Sequence, residues 1–332
     1  MVDIAIVGAA SLEAEALVEL LQERDFPVGA LHLLDSGDAL GQSLAFGQRN
    51  LRIRDAAAFD FSGVQLVFVA ATVADAAVRE TLNRLACDVI DLAGALEPGA
   101  SVCVLPGVRE GSVAQMPVPR RVRCPGTVAV ALATALAPLT RRATLRRVVV
   151  TACLPVSVRG RGGVKELARQ TAELLNARPL EPRLFDRQVA FNLLAQAETP
   201  DEQGHAPAER RLSGELAELL ELPRLSVSAT FVQAPVFFGE SLSVSLQFEH
   251  PVELALLHEA LEATQDVELS EAGDYPTAVG DALGQDVICV GRLRSGVADP
   301  CEVNLWIVSD NVRKGAALNA VLSGELLIKH YP

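Results

Sequence analysis

The sequence predicts an α/β protein in two parts, a parallel-sheet nucleotide-fold domain followed by an α+β domain. Three observations carry this. In the N-terminal third, short apolar runs alternate with stretches of helical period, the pattern of a parallel sheet covered on both faces. From roughly residue 127 the pattern shifts to helices mixed with strands that read as an antiparallel sheet. The chain has 332 residues, 50% of them hydrophobic and 21% charged; that exceeds one typical domain and excludes general disorder.

Each element has its own signal. Asp3–Val7 is a buried-strand run, followed by Gly8-Ala-Ala-Ser11 and a helix over Leu12–Arg24, in which Leu12, Ala16 and Leu20 recur at i+4. Phe26-Pro27 stops that helix, and Leu31–Leu34 is a second strand. Gln65–Ala70 is a third, an Ala-rich helix runs from Asp75 to Ala86, and Asp88–Leu92 is a fourth strand. Beyond it come a helix at Val128–Leu139, a strand at Arg147–Ala152 and a helix at Val164–Leu175 after Gly160–Gly163. Thr199–Ala208, with Pro200, Gly204 and Pro207, reads as a loop. Leu225–Gln233, Ser241–Glu249 and Val303–Ser309 read as strands, Pro251–Thr264 as a helix and Asp310–His330 as a long final helix. The expected division is 1–126, 127–309, and a C-terminal helix 310–332 packing back on the first domain.

Composition narrows the function classes. Lysine and arginine total 29 against 42 acids, a net charge of −13 and a pI near 4.9, so nucleic acid and anionic membrane are not expected partners. The longest apolar stretches, Leu66–Ala74 and Val128–Leu139, are too short to span a bilayer, and the start of the chain lacks a basic targeting region, so a cytoplasmic location is expected. The six cysteines contain no CxxC and read as reduced thiols; the five histidines form no HxxxH or HExxH, and no metal site is expected. Between Gly111 and Lys165 there is no acid but nine arginines, at 120, 121, 123, 141, 142, 146, 147, 159 and 161. This segment is a candidate anion or partner surface; the other reading scatters these arginines over separate loops and helix ends.

The segment Val290-Gly-Arg-Leu-Arg294 and the run Leu305-Trp-Ile-Val-Ser-Asp-Asn-Val-Arg-Lys-Gly-Ala-Ala-Leu-Asn-Ala320 closely resemble the aspartate-semialdehyde dehydrogenase family. Ile6-Val7-Gly8-Ala9, Arg24-Asp-Phe-Pro27, Val89-Ile-Asp91, Arg147–Val150, Gln188-Val-Ala-Phe-Asn192 and Pro235-Val-Phe-Phe-Gly239 agree in the same order. The resemblance covers nearly the whole chain. It implies a Rossmann-like NAD(P)-binding domain followed by an α+β catalytic and dimerisation domain like that of glyceraldehyde-3-phosphate dehydrogenase, and hence a homodimer. It also implies reductive dephosphorylation of aspartyl phosphate, in which a cysteine thiolate attacks the acyl phosphate, a histidine is acid/base and hydride reduces the thioester.

The positions that should carry this chemistry have changed. Anchoring on the prolines of Val122-Arg-Cys-Pro-Gly-Thr-Val128 and Ala137-Pro138-Leu139 puts Thr127 where the family has its cysteine. An alcohol needs a dedicated base to attack, whereas a thiol at a helix start does not. The histidine position is Glu240, the substrate-clamping arginine position is Gln233, and a family glutamine after the strand is Leu154. Glutamine forfeits roughly 1–3 kcal/mol of charge-assisted binding. Cys124, flanked by Arg120, Arg121 and Arg123, is the alternative nucleophile, and the same arginines are candidates to hold a substrate or other small anion. Glu209 and Arg211 are candidates for the family's acidic and basic substrate contacts.

The cofactor positions are similarly altered. Of the family's three loop glycines only Gly8 remains, in Gly8-Ala-Ala-Ser11-Leu-Glu-Ala14. Ser11 is placed to cap the following helix, and Glu13 and Glu15 in its first turn oppose a phosphate by on the order of 2–3 kcal/mol each before screening. Asp38 stands where an arginine should meet the NADP phosphate, which favours NAD over NADP. Asn311 is a remnant candidate for the nicotinamide contact. The chain therefore resembles the divergent Usg-type branch of the family: a homodimer expected to have lost the dehydrogenase reaction while keeping ligand or protein binding. The alternative is an active NAD(P)-dependent aldehyde oxidoreductase of amino-acid biosynthesis, rebuilt around Cys124 and Glu240.

Overall fold

In the computed structural model the chain divides into two compact units, Met1–Pro125 with Ala316–Pro332, and Gly126–Gly315. Residues 1–97, 99–110 and 113–329 are described; the expected helix end at His330 and the start of the acid-free segment at Gly111 lie outside them.

The first unit contains β1 (Val2–Val7), α1 (Leu12–Glu23), β2 (Val28–Asp35), a hairpin of β3 (Ser43–Phe46) and β4 (Arg49–Arg52), β5 (Arg54–Asp55), β6 (Leu66–Val69), α2 (Ala76–Arg84), β7 (Asp88–Asp91), β8 (Val102–Cys103) and β9 (Arg121–Arg123). Seven strands form one parallel sheet in the order β5-β2-β1-β6-β7-β9-β8, so the strand order reverses at β1. Leu66–Val69 is buried at every position because both faces are covered. One face packs Ile4, Ile6, Leu17, Leu20 and Phe68 with Val321 and Leu327 of the C-terminal helix (Asn319–Ile328). The other packs Val7, Val67, Val69, Val78, Leu82 and Val89.

The second unit contains α3 (Thr127–Thr140), β10 (Leu145–Leu154), α4 (Gly160–Leu175), α5 (Pro207–Leu219), β11 (Ser226–Gln233), β12 (Glu240–Phe248), α6 (Leu254–Glu262), β13 (Val267–Leu269), β14 (Ile288–Ser295) and β15 (Glu302–Ser309). Its sheet runs β11-β10-β12-β15-β14-β13 and is mixed, not antiparallel as expected. β10 pairs with β11 in parallel because α4 and α5 lie between them, a crossover long enough to return the chain in the same direction. Helix α3 is buried from Val128 to Leu139, which suits a segment apolar on all sides.

The final helix departs from expectation. Asp310 Oδ1 accepts the N–H groups of Val312 and Arg313. A π-helical turn follows at Arg313–Leu318, with the Gly315 N–H on the Asp310 carbonyl, before the regular helix at Asn319. The carboxylate cap and the wide turn replace one continuous helix. Among the described residues no helix is long and apolar enough to cross a membrane, no group of metal-ligating side chains gathers, and no disulfide joins the six cysteines.

Candidate functional site

Four of the candidate positions meet at one end of the second unit's sheet. Leu154 and Gln233 end β10 and β11 as register partners, and Glu240, first in β12, is paired with Ser309, last in β15. Cys153 pairs with Ser241, so Leu154 and Glu240 are neighbours. The row Gln233, Leu154, Glu240, Ser309 is buried throughout, with exposures of 1%, 6%, 0% and 0%. Thr127 opens α3 beside it, and its hydroxyl donates to Glu240 Oε2 at 2.7 Å. Gly315 is required here, since a Cβ on it would lie 2.8 Å from the Thr127 Cβ.

Burial dominates the electrostatics. It pushes the Glu240 carboxyl up to about 8; the Thr127 hydroxyl bond pulls the other way, and the nearby charge of Asp310 adds to the rise. Glu240 Oε1 is buried with no hydrogen-bond partner. At neutral pH Glu240 therefore carries a proton, and the Thr127 hydroxyl faces a carboxylic acid. Such a group cannot ionise an alcohol. Gln233 is held by donating to the Leu154 carbonyl at 2.8 Å, while its Oε1 is buried and unpartnered.

Glu215 is a site residue the sequence reading missed. It is 5% exposed, and its Oε2 accepts the Gly126 N–H at the start of α3 at 3.1 Å. Arg211, more than half exposed, lies 3.6 Å from Glu215 across one turn of α5 and within 3.6 Å of where a Cβ on Gly126 would sit. The only available signal was the i,i+4 spacing of Arg211 and Glu215, and helix α5 itself was not anticipated. Glu209 lies in the first turn of the same helix. Its Oε2 accepts the Ala206 N–H and its Oε1 the Phe231 N–H, fastening the start of α5 to β11.

Other candidates have structural roles. Cys124 is 7% exposed, in the same apolar core as Ile90, Val104 and Val122, and its N–H bonds the Asp91 carbonyl. This is a core position and not an exposed helix start. Several of the arginines between 120 and 161 have partners on separate strands and loops, in keeping with the scattered reading. Arg120 is buried against Asp88, Arg121 donates to the carbonyls of Cys87 and Leu85, Arg146 pairs with Glu249, and Arg159 bonds the Ala197 carbonyl. Arg123 sits half-buried in β9. Asn311 is 3% exposed, accepting the Gly239 N–H at 2.9 Å and donating to Ser157 Oγ at 3.1 Å, so its amide holds the turn before Glu240.

The β1–α1 loop can be tested against a dinucleotide. Gly8 has φ +83° and packs so closely on Ala71 that a Cβ would lie 2.6 Å from the Ala71 Cβ, which explains this glycine through packing alone. Ser11 caps α1 by accepting the Ala14 N–H. The N–H groups of Gly8 and Ala9 reach the Leu34 carbonyl and that of Ser11 the Gly8 carbonyl. The Ala10 N–H donates to Asp35 Oδ2 at 2.9 Å. With Glu13 and Glu15 in the first turn, this set does not fit a pyrophosphate as an open glycine loop does. Asp38 is exposed in a short 3₁₀ turn, Gly37–Ala39; the acid at the end of β2 is Asp35, which the sequence reading passed over.

Comparison with known proteins agrees with this architecture. Residues 3–116 match the family model "Semialdehyde dehydrogenase, NAD binding domain", and residues 136–314 match "Semialdehyde dehydrogenase, dimerisation domain". The chain is similar to a "USG-1 protein homolog" of Pseudomonas aeruginosa, with 55% identity over 99% of this chain and 98% of that protein. It is similar to "Aspartate-semialdehyde dehydrogenase 2" of Vibrio cholerae, with 34% identity over 99% of this chain and 98% of that one. Among solved structures, a probable aspartate-semialdehyde dehydrogenase from Pseudomonas aeruginosa superposes with TM-score 0.95 at 55% identity, covering 100% of this chain and 99% of that one. Aspartate semialdehyde dehydrogenase II from Vibrio cholerae, complexed with ASA, superposes with TM-score 0.94 at 33% identity and the same coverage. A chain with both matched domains, in this order and over nearly its full length, belongs to the aspartate-semialdehyde dehydrogenase family.

Proposed function

We propose that this chain keeps the family's fold and pairing but has lost its dehydrogenase reaction, and serves as a binding protein. The observation supporting this is the Thr127–Glu240 pair, an alcohol bonded at 2.7 Å to an acid that burial keeps protonated at neutral pH. Neither partner supplies the ionised nucleophile that acyl transfer requires. The test is a steady-state assay of the purified protein with the semialdehyde, phosphate, and NAD or NADP in turn. No turnover above background is the expected outcome, and measurable turnover would overturn the reading.

The ligand that best suits what remains is a small anion at the start of α3. Gly126 gives that helix no side-chain cap, and the exposed Arg211 lies beside it. Inorganic phosphate and small dicarboxylates are expected to raise the melting temperature of the wild-type protein, and Arg211→Ala to abolish the shift. Any dinucleotide binds weakly, with NAD ahead of NADP, because the acids Asp35 and Asp38 stand at and just after the end of β2. A homodimer built on the second unit is in keeping with its exposed apolar Phe191, Leu193 and Phe237, and light scattering will give the mass.

A further inference from the structure

We infer that a cavity at the amino ends of β6 and β7 binds a free aromatic amino acid. Its ring lies on an apolar floor, and its two charged groups meet Asp60 and Arg84 at the rim. The cavity lies wholly within the first unit and measures about 540 Å³, the size of a small-molecule site. Val64 comes just before β6 and Cys87 directly before β7, which pairs with it in parallel. The cavity therefore opens at the end of these strands opposite to the carboxyl ends, where an open parallel sheet holds its usual ligands. It depends neither on the fate of the dehydrogenase reaction nor on the anion site proposed at α3.

The chain builds both a floor and a rim. Phe61, Val64 and Leu85 belong to the apolar core on that face of the sheet, and the half-buried Phe59 packs against it. Phe59 and Phe61 meet edge to face with centroids 4.9 Å apart, an arrangement that a third ring extends. Arg121 fixes one wall by donating to the carbonyls of Leu85 and Cys87. Asp60 is held by Ser62, whose N–H reaches Oδ1 and whose hydroxyl reaches Oδ2, both at 2.9 Å. Each carboxylate oxygen keeps capacity for an ammonium. Arg84 ends α2, and one of its nitrogens meets Glu80 at 2.7 Å across one turn. The other N–H donors of the fork are enough for a carboxylate. A zwitterion answers both rim charges. A ligand carrying only a carboxylate sets it against Asp60, and one carrying only an ammonium sets it against Arg84.

The test is calorimetric titration of the full chain with phenylalanine, hydrocinnamate, phenethylamine and glycine. The last three lack the ammonium, the carboxylate and the ring in turn. Phenylalanine is expected to bind, and each of the others about tenfold more weakly or not at all. The place of binding is read from Cys87, a wall of the cavity: phenylalanine is expected to slow its alkylation by iodoacetamide while Cys153 and Cys301 react as before. Asp60→Asn keeps an oxygen for the Ser62 N–H but loses the charge, and is expected to weaken phenylalanine about tenfold. Ala86→Trp, which fills the cavity, is expected to abolish binding. The wild-type ligand series and the labelling need no variant, so a poorly folded variant leaves the test standing. Absence of phenylalanine binding, equal binding of hydrocinnamate or phenethylamine, or binding that leaves the labelling of Cys87 unchanged would each overturn the inference.

Discussion

Replacing Glu240 with glutamine isolates the group on which the proposed loss of the reaction turns. The carboxyl has an ordinary value of 4.5 and is pushed up to about 8 in the folded protein, mainly by burial. Between those values the native state holds a proton that the unfolded chain releases, so the unfolding free energy falls as pH rises. The contribution is fully present below pH 4.5 and is lost as pH climbs through about 8. At about 1.4 kcal/mol per pH unit, the loss across this window is on the order of 4–5 kcal/mol. Glutamine keeps the shape and an oxygen to accept the Thr127 hydroxyl, but it cannot ionise. Urea denaturation of wild type and Glu240→Gln at pH 5 to 9 measures the effect. The variant is expected to gain on the wild type steadily from pH 5 to 8 and then level off. Taking the difference between the two proteins removes the self-repulsion of a chain with net charge −13, which both share. A difference that varies by less than about 1 kcal/mol over that range would show that Glu240 is not held protonated, and the argument against a base beside Thr127 would fall with it.

Further substitutions test separate parts of the structure. Gly8→Ala is expected to cost about 2–4 kcal/mol in denaturation, because φ +83° and the Ala71 contact both exclude a side chain. Glu215→Gln is expected to cost about 1–2 kcal/mol by weakening the bond to the Gly126 N–H, read in the same way. Arg120→Met removes the guanidinium from buried Asp88, which keeps only the residue-120 N–H on its other oxygen, and should cost about 3–5 kcal/mol, while the thermal shift with phosphate stays unchanged. Iodoacetamide on the native protein should modify Cys153 and Cys301 before the buried Cys124; early labelling of Cys124 would contradict its core position.

The central strands of the first unit's parallel sheet, β1, β6 and β7, were legible because they are buried on both faces and read as short, largely apolar runs, Leu66–Val69 most plainly. The second unit was less so. The direction of β11 depends on the crossover through α4 and α5, and α5 starts at Pro207, inside a stretch whose prolines and glycine read as loop. At the site, aligning the replaced positions placed Thr127, Leu154, Gln233 and Glu240, and the structure brings those four together. Partners chosen by charge alone went astray. Arg120 and Arg121 face Asp88 and backbone carbonyls, contacts made by strand neighbours distant in sequence that no local pattern reveals.

One backbone N–H at the start of α1 and one at the start of α3 are each taken by a carboxylate of this chain. Asp35 takes the Ala10 N–H ahead of α1, and Glu215 takes the Gly126 N–H ahead of α3. Each bond satisfies a donor that would otherwise need water or a ligand, and each places negative charge where a helix dipole favours it, so each stabilises the folded state without any bound molecule. Thr127 and the β1–α1 loop are therefore each supported by their own local structure. Reintroducing a cysteine at position 127 alone would leave Glu215 on the Gly126 N–H and the β1–α1 loop closed. On this reasoning Thr127→Cys yields a labelled thiol but no hydride transfer to NADP, and turnover by that single variant would show that the two carboxylates do not matter.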